Sequence, residues 1–155
     1  MTSSSFSRVK RGLLGTMCVS ALVLSVNSAP VSASRERART LRIIKECSQY
    51  QGGAGEWCTI TSSNVRQVPA GSRVLYSQAA GVPAGLLDSN VVLDAGNGNR
   101  AVGRCTVDTT TERGLCTFSD GTGRLAGFEA RVDVIHVAGY DWKWDGAYSF
   151  NEGND

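Results

Sequence analysis

The chain holds one histidine, His136, in 155 residues. A Ser–His–Asp arrangement would have to use it, and no GxSxG nucleophile elbow is present. Zinc coordination fares no better, because CxxC spacing is missing alongside the shortage of histidine. Helix signals are nearly absent: Gly is frequent, and short β-prone runs recur between Gly, Asn, Asp and Pro clusters. The longest apolar stretch, near LLGTMCVSALVLSV, is too short to span a bilayer. No strong charge imbalance is present either, with 16 basic against 14 acidic residues.

What is present begins with an export signal. A basic start with Arg8, Lys10 and Arg11 precedes the apolar run, and Val31, Ser32 and Ala33 offer small residues for cleavage. Residues 1–33 therefore read as a secretory signal peptide, which takes Cys18 with it. The segment before Ser34 carries three basic residues and no acidic one. The remainder is then 13 basic against 14 acidic, net −1, so neither a nucleic-acid nor a membrane partner is expected. Residues 34–40, with RERAR, read as a flexible N-terminal tail and residues 34–155 as one domain.

Four cysteines stay in that domain, an even count that suits an exported, extracellular chain. Three pairings are open to them. Both close pairs flank turns, ECSQYQGGAGEWC and CTVDTTTERGLC, which favours Cys47–Cys58 and Cys105–Cys116.

Strands are expected near residues 41–50, 56–62, 73–77, 90–93, 100–108, 115–119, 125–137 and 142–150, the pattern of an all-β sandwich or barrel. The first of these could instead be a short helix. GNGN at 96–99 and DTTTERG at 108–114 read as hairpin turns. DAGNGN lacks the spaced acidic ligands of a calcium loop, so it is taken as a turn.

The last strand alternates sharply. Tyr140, Trp142, Trp144, Tyr148 and Phe150 share one parity, interrupted only by Gly146, while Asp141, Lys143, Asp145, Ala147 and Ser149 share the other. The aromatic face reads as packed core, with cavity lining as the functional alternative. Likewise Phe128, Ala130, Val132 and Val134 alternate with Glu129, Arg131 and Asp133. The plainer reading keeps those charges outside; the functional one puts Glu129 and Arg131 in a cavity as acid and anion clamp.

Three stretches, VVLDAGNGNRAVGRCTV, SDGTGRLAGFEARVDV and WKWDGAYSF, in this order, resemble the allene oxide cyclase and dirigent barrel superfamily, in particular its small exported bacterial members. The Gly121-Thr122-Gly123 turn leading into a long strand interrupted at Gly127 carries most of that resemblance. It implies an eight-stranded antiparallel β-barrel with a small-molecule cavity. It also implies an apolar or phenolic ligand, no metal, no cofactor, and a homo-oligomer, dimer or trimer, as an option. Plant members of that superfamily cyclise a fatty-acid epoxide or steer phenolic radical coupling, which is catalysis by positioning and water exclusion. No position of this chain matches their acidic and basic groups, so catalytic candidates come from the residues alone: Glu129, Arg131 and Asp120. Asp120 otherwise braces its turn. Ligand-lining candidates are Tyr76, Phe128, Trp142, Trp144 and Tyr148.

The expected function is thus a secreted small-molecule-binding barrel, either a cofactor-independent cyclase or isomerase or a coupling guide. The competing class is a non-catalytic binding or structural protein. A protease inhibitor using DTTTERG as its reactive loop is a third.

Overall fold

The computed structural model describes residues 37–151, and residues 1–33, expected to be a signal peptide, lie outside them together with Cys18. Eight antiparallel strands run in sequence order and close into a barrel: β1 (Arg39–Glu46), β2 (Trp57–Ser63), β3 (Arg73–Tyr76), β4 (Leu86–Asp94), β5 (Arg100–Asp108), β6 (Arg113–Ser119), β7 (Phe128–Ala138) and β8 (Asp141–Phe150). Closure comes from β1 pairing with β8, from Arg39 opposite Tyr148 to Glu46 opposite Asp141. Such closure leaves no sheet edge exposed. No α-helix occurs among the described residues, and none there is long and apolar enough to cross a membrane.

Period-two patterning decides which face points inward. Along β7, Phe128, Ala130, Val132 and Val134 are buried, while Glu129, Arg131 and Asp133 are exposed. Leu87, Ser89, Val91 and Leu93 of β4 turn inward in the same way. On β8 the inward set is Trp144 and Tyr148, with Trp142 and Phe150 half-buried at its two ends. Both expected disulfides form. Cys105 and Cys116 face each other directly across β5 and β6 inside the barrel, and Cys47–Cys58 ties the end of β1 to β2. Each closes a loop of 11 residues. Such a loop contributes about 2–3 kcal/mol in the chain-entropy account.

Gly146 is the gap in the aromatic parity, and the structure gives its reason. A Cβ there would sit 2.2 Å from the Arg131 carbonyl oxygen and 2.8 Å from Val132 Cα, so β7 and β8 approach too closely for any side chain. Gly103 on β5 has the same relation to the Thr117 carbonyl, at 2.1 Å. Glycine inside a strand commonly marks a sharp barrel bend. Gly146→Ala is therefore expected to destabilise the fold by about 2–3 kcal/mol, the cost of overpacking without room to relax. Urea denaturation would measure it, and an unchanged midpoint would show that the β7–β8 pair yields freely.

Several strand limits differ from expectation. β1 stops at Glu46, because its carboxylate turns back to accept from the Ser48 N–H at 2.7 Å. β4 begins at Leu86, four residues early, its first residues pairing with Asp108–Cys105 of β5. β7 begins at Phe128, because Gly123–Leu125 forms a 3-10 turn that buries Leu125. The GNGN and DTTTERG turns stand as expected: Asp94 Oδ1 accepts from Gly96 N–H, and Asp108 Oδ1 from Thr110 and Thr111 N–H.

The two barrel ends are unlike. One is closed by the long β2–β3 connection, whose Val65 and Val68 are fully buried, and by Leu125. The other, where β1, β3, β5 and β7 finish, is left with a cavity.

Candidate functional site

The cavity measures about 170 Å³ and lies among Lys45, Tyr50, Tyr76, Leu87, Val107, Val134 and Trp142, with the Cys47–Cys58 disulfide in its wall. Its mouth carries Ala80, Thr109 and Tyr140, the last 58% exposed. Each flank comes from a strand end: Lys45 from β1, Tyr76 from β3, Leu87 from β4, Val107 from β5, Val134 from β7 and Trp142 from β8.

Lys45 is the unexpected member. Its parity matches Leu41, Ile43 and Cys47, so the strand that buries those three carries a lysine inward with them. It is 3% exposed. Nζ donates to Tyr76 Oη and lies 3.8 Å from Cys58 Sγ. The rings of Tyr76 and Trp144 each have their centroid 5.2 Å from Nζ, and that of Trp142 is 5.9 Å away. Ring faces attract a cation, but no carboxylate pairs with this amine among the described residues. Burial without a counter-ion lowers its pKa from 10.5 to about 7, because the charged form has lost its water.

Two phenols share the site. Tyr76 is pushed well up by burial and by neighbouring Tyr50, so it stays a neutral O–H donor. Tyr50 is raised by burial first and Glu56 second, and its ring centroid lies 4.6 Å from that of Tyr76. The Tyr50 hydroxyl is buried with no hydrogen-bond partner, an unusual condition for a phenol. An amine and two hydroxyls at an apolar, aromatic-walled hollow can hold a polar oxygen of an otherwise apolar molecule.

His136 stands beside the site rather than in it. Its ring packs on Trp142 with centroids 4.9 Å apart. Nδ1 lies 2.8 Å from Glu112 Oε2 and Nε2 lies 2.9 Å from the Gly139 carbonyl, so both nitrogens face acceptors. That arrangement suits the imidazolium and raises the pKa, the Gly139 contact contributing most and Glu112 next. The histidine ties the β5–β6 turn to the β7–β8 turn at the cavity mouth.

The ligand-lining candidates separate. Tyr76 and Trp142 line the cavity, and the Trp144 ring lies under the Lys45 amine without lining it. Phe128 and Tyr148 belong to a cluster with Phe150 at the opposite end, centroids 5.4–6.1 Å apart. The catalytic candidates lie away from this cavity, as the plainer reading of their parity had it. Glu129 and Arg131 point outward beside Tyr148 in a shallow, open depression between β6, β7 and β8, because their parity is opposite to that of Phe128 and Ala130. Asp120 is exposed and accepts from the Ser119 hydroxyl at 3.0 Å, at the end away from the cavity. None of the three reaches Lys45.

The residue missed in the sequence was Lys45. The signal was available: Leu41-x-Ile43-x-Lys45-x-Cys47 is a period-two run with lysine on its apolar parity. The competing helix reading of LRIIKEC hid it.

No protein-family model, curated protein or solved structure matches the chain.

Proposed function

We propose that this barrel binds a small apolar or phenolic molecule in the cavity at the Lys45 end. One observation carries the reading. A lysine with no carboxylate partner among the described residues is buried beside an open, aromatic-walled hollow. A buried amine left so is a cost in stability, and ionisable groups of this kind cluster at functional sites.

Size narrows the ligand. About 170 Å³ lies below the usual 300–1,000 Å³ of drug-sized pockets and near the roughly 150 Å³ that accommodates benzene. A one-ring phenol fits this hollow, and an extended fatty-acid chain does not. Cofactor-free rearrangement of the bound molecule, a cyclisation or isomerisation, is part of the proposal. The Lys45–Tyr76 pair supports it by supplying a partly neutral amine as base and a hydroxyl as hydrogen-bond donor at neutral pH. Export through residues 1–33 belongs to it too, supported by the two disulfides, which persist in oxidising compartments.

Titration with phenol, followed by the fluorescence of the three tryptophans, of which Trp142 lines the cavity, tests the binding. Saturable quenching is expected for the native protein. Ala80→Phe, which fills the mouth from a loop, is expected to weaken it at least about tenfold, as occluding a pocket of this size should. Quenching that never saturates, or that Ala80→Phe leaves unchanged, would sink the reading.

A further inference from the structure

We infer that the Lys45 amine forms an imine with a small aldehyde bound in this cavity, with the Tyr76 hydroxyl as proton donor. The inference rests on the ligand-binding reading above and adds a covalent step to it. Four features of the cavity converge. Lys45 is buried yet is one of the residues lining the hollow, which brings an entering carbonyl toward its Nζ. Tyr76 Oη is hydrogen-bonded to that same nitrogen and stays protonated, so it can hand a proton to the carbonyl oxygen as the C–N bond forms. No carboxylate competes for the amine among the described residues. The walls Leu87, Val107, Val134 and Trp142 are apolar, so a neutral adduct is better accommodated there than an ion pair.

The step balances without any oxidant or reductant. The nitrogen lone pair attacks the aldehyde carbon, the carbonyl π bond breaks, and the oxygen takes a proton from Tyr76. The nitrogen gives up one proton to restore the phenol, which leaves a carbinolamine. Loss of the hydroxyl as water, with the second amine proton, gives the C=N bond. An aldehyde and an amine thus become an imine and one water, which leaves past Tyr140. A neutral amine is the nucleophile in this step. Burial keeps Lys45 substantially neutral at pH 7, whereas an ordinary lysine is almost wholly protonated there.

The chain contains its own control. Its lysines are Lys10, Lys45 and Lys143, and Lys143 is partly exposed and paired with Asp145 at 2.7 Å on the outer face. The protein is incubated at pH 7 with benzaldehyde, trapped with sodium cyanoborohydride, and mapped by peptide mass spectrometry. One benzyl group per molecule is expected at Lys45, formed at least about tenfold faster than at Lys143, the gain a neutral buried amine should give. Tyr76→Phe is expected to slow labelling severalfold, and Lys45→Met to abolish it while the far-ultraviolet circular dichroism stays native. Benzyl alcohol, which has no carbonyl, is titrated in parallel to report the cavity alone. If benzyl alcohol binds but label falls on Lys143 and the amino terminus while Lys45 stays free, the imine is overturned and the binding reading stands. If neither compound binds, both fall. Labelling of Lys45 at an unchanged rate in Tyr76→Phe would overturn the role given to the phenol.

Discussion

Lys45→Met is expected to unfold at higher denaturant concentration than the native protein at pH 7, and the two stability curves are expected to cross at about pH 9. The physical cause is linkage. In the folded protein the amine titrates at about 7 instead of 10.5. Between those values the unfolded chain binds one more proton than the folded one, so stability rises with pH. Its contribution is complete above the unfolded value and is lost as the pH falls through the folded one. The slope approaches about 1.4 kcal/mol per pH unit, giving a gain on the order of 2–3 kcal/mol between pH 7.5 and 9.5.

Among the neighbouring titrating groups, His136 opposes that rise at the lower edge of the window. His136, with its raised pKa, contributes stability fully present below about 6.5, its ordinary value, and lost as pH rises through its folded one. The lowered carboxyls of Asp88, Asp94, Asp108 and Asp145 lose their contribution only in acid. Tyr50 and Tyr76, raised by burial, reduce stability only above about 10, where unfolded phenols ionise.

Methionine fills similar volume and removes the ionisable group, but it leaves the Tyr76 hydroxyl without its partner, a cost of about 1–3 kcal/mol. The net gain at pH 7 is then about 2–3 kcal/mol. It disappears near pH 9, where the remaining cost of keeping the amine neutral, about 2 kcal/mol, matches that of the unpartnered phenol. Urea denaturation of both proteins from pH 6 to 10 reads this directly. Parallel, non-crossing curves would mean that the amine is hydrated and the site is not the dry hollow described above.

Trp144→Ala should be the most damaging single truncation in the barrel. The side chain is 1% exposed and packs against Phe118 with centroids 5.2 Å apart. Emptying such a site costs about 3–5 kcal/mol, from lost burial and from the void, a large share of the stability of an ordinary domain. One term opposes it: Trp144 Nε1 is buried without a hydrogen-bond partner, so truncation also removes an unsatisfied donor. Trp144→Phe separates the two, keeping most of the ring while deleting the N–H, and is expected to cost less than about 1.5 kcal/mol. Thermal unfolding of both variants measures the difference. Equal losses would show that the indole N–H contributes favourably after all and that packing does not set the cost.

The same tryptophan shows how much of the site the sequence disclosed. The alternation in YDWKWDGAYSF placed an aromatic face correctly, and the structure divides it along the strand. Trp142 reaches the cavity, Trp144 supports the amine, and Tyr148 with Phe150 packs the far end. A strand pattern specifies a face but not the height of each residue within a barrel. Height depends on register, and β8 is positioned by pairing with β1 and β7 simultaneously. For the same reason Glu129 and Arg131 could be assigned to a parity but not to inside or outside until closure fixed which parity was interior. Lys45 inverts that lesson. Its parity was apolar, and a charged residue on an apolar parity is informative because burying it is costly.

By itself, the sequence pointed to the all-β class and to eight strands, and it favoured the disulfide pairing that forms, one of three open to it. Each depends on local chemistry: period-two alternation, Gly and Asn turns, and cysteines flanking short connections. The tertiary structure alone decided that one barrel end is plugged by Val65, Val68 and Leu125 while the other stays hollow. It alone brought Lys45, Tyr50, Tyr76 and Trp142 together from the two sides of the β1–β8 closure. These residues are up to nearly a hundred positions apart in the chain. Contacts at that separation arise from closing the sheet on itself, a property of all eight strands that no local stretch encodes.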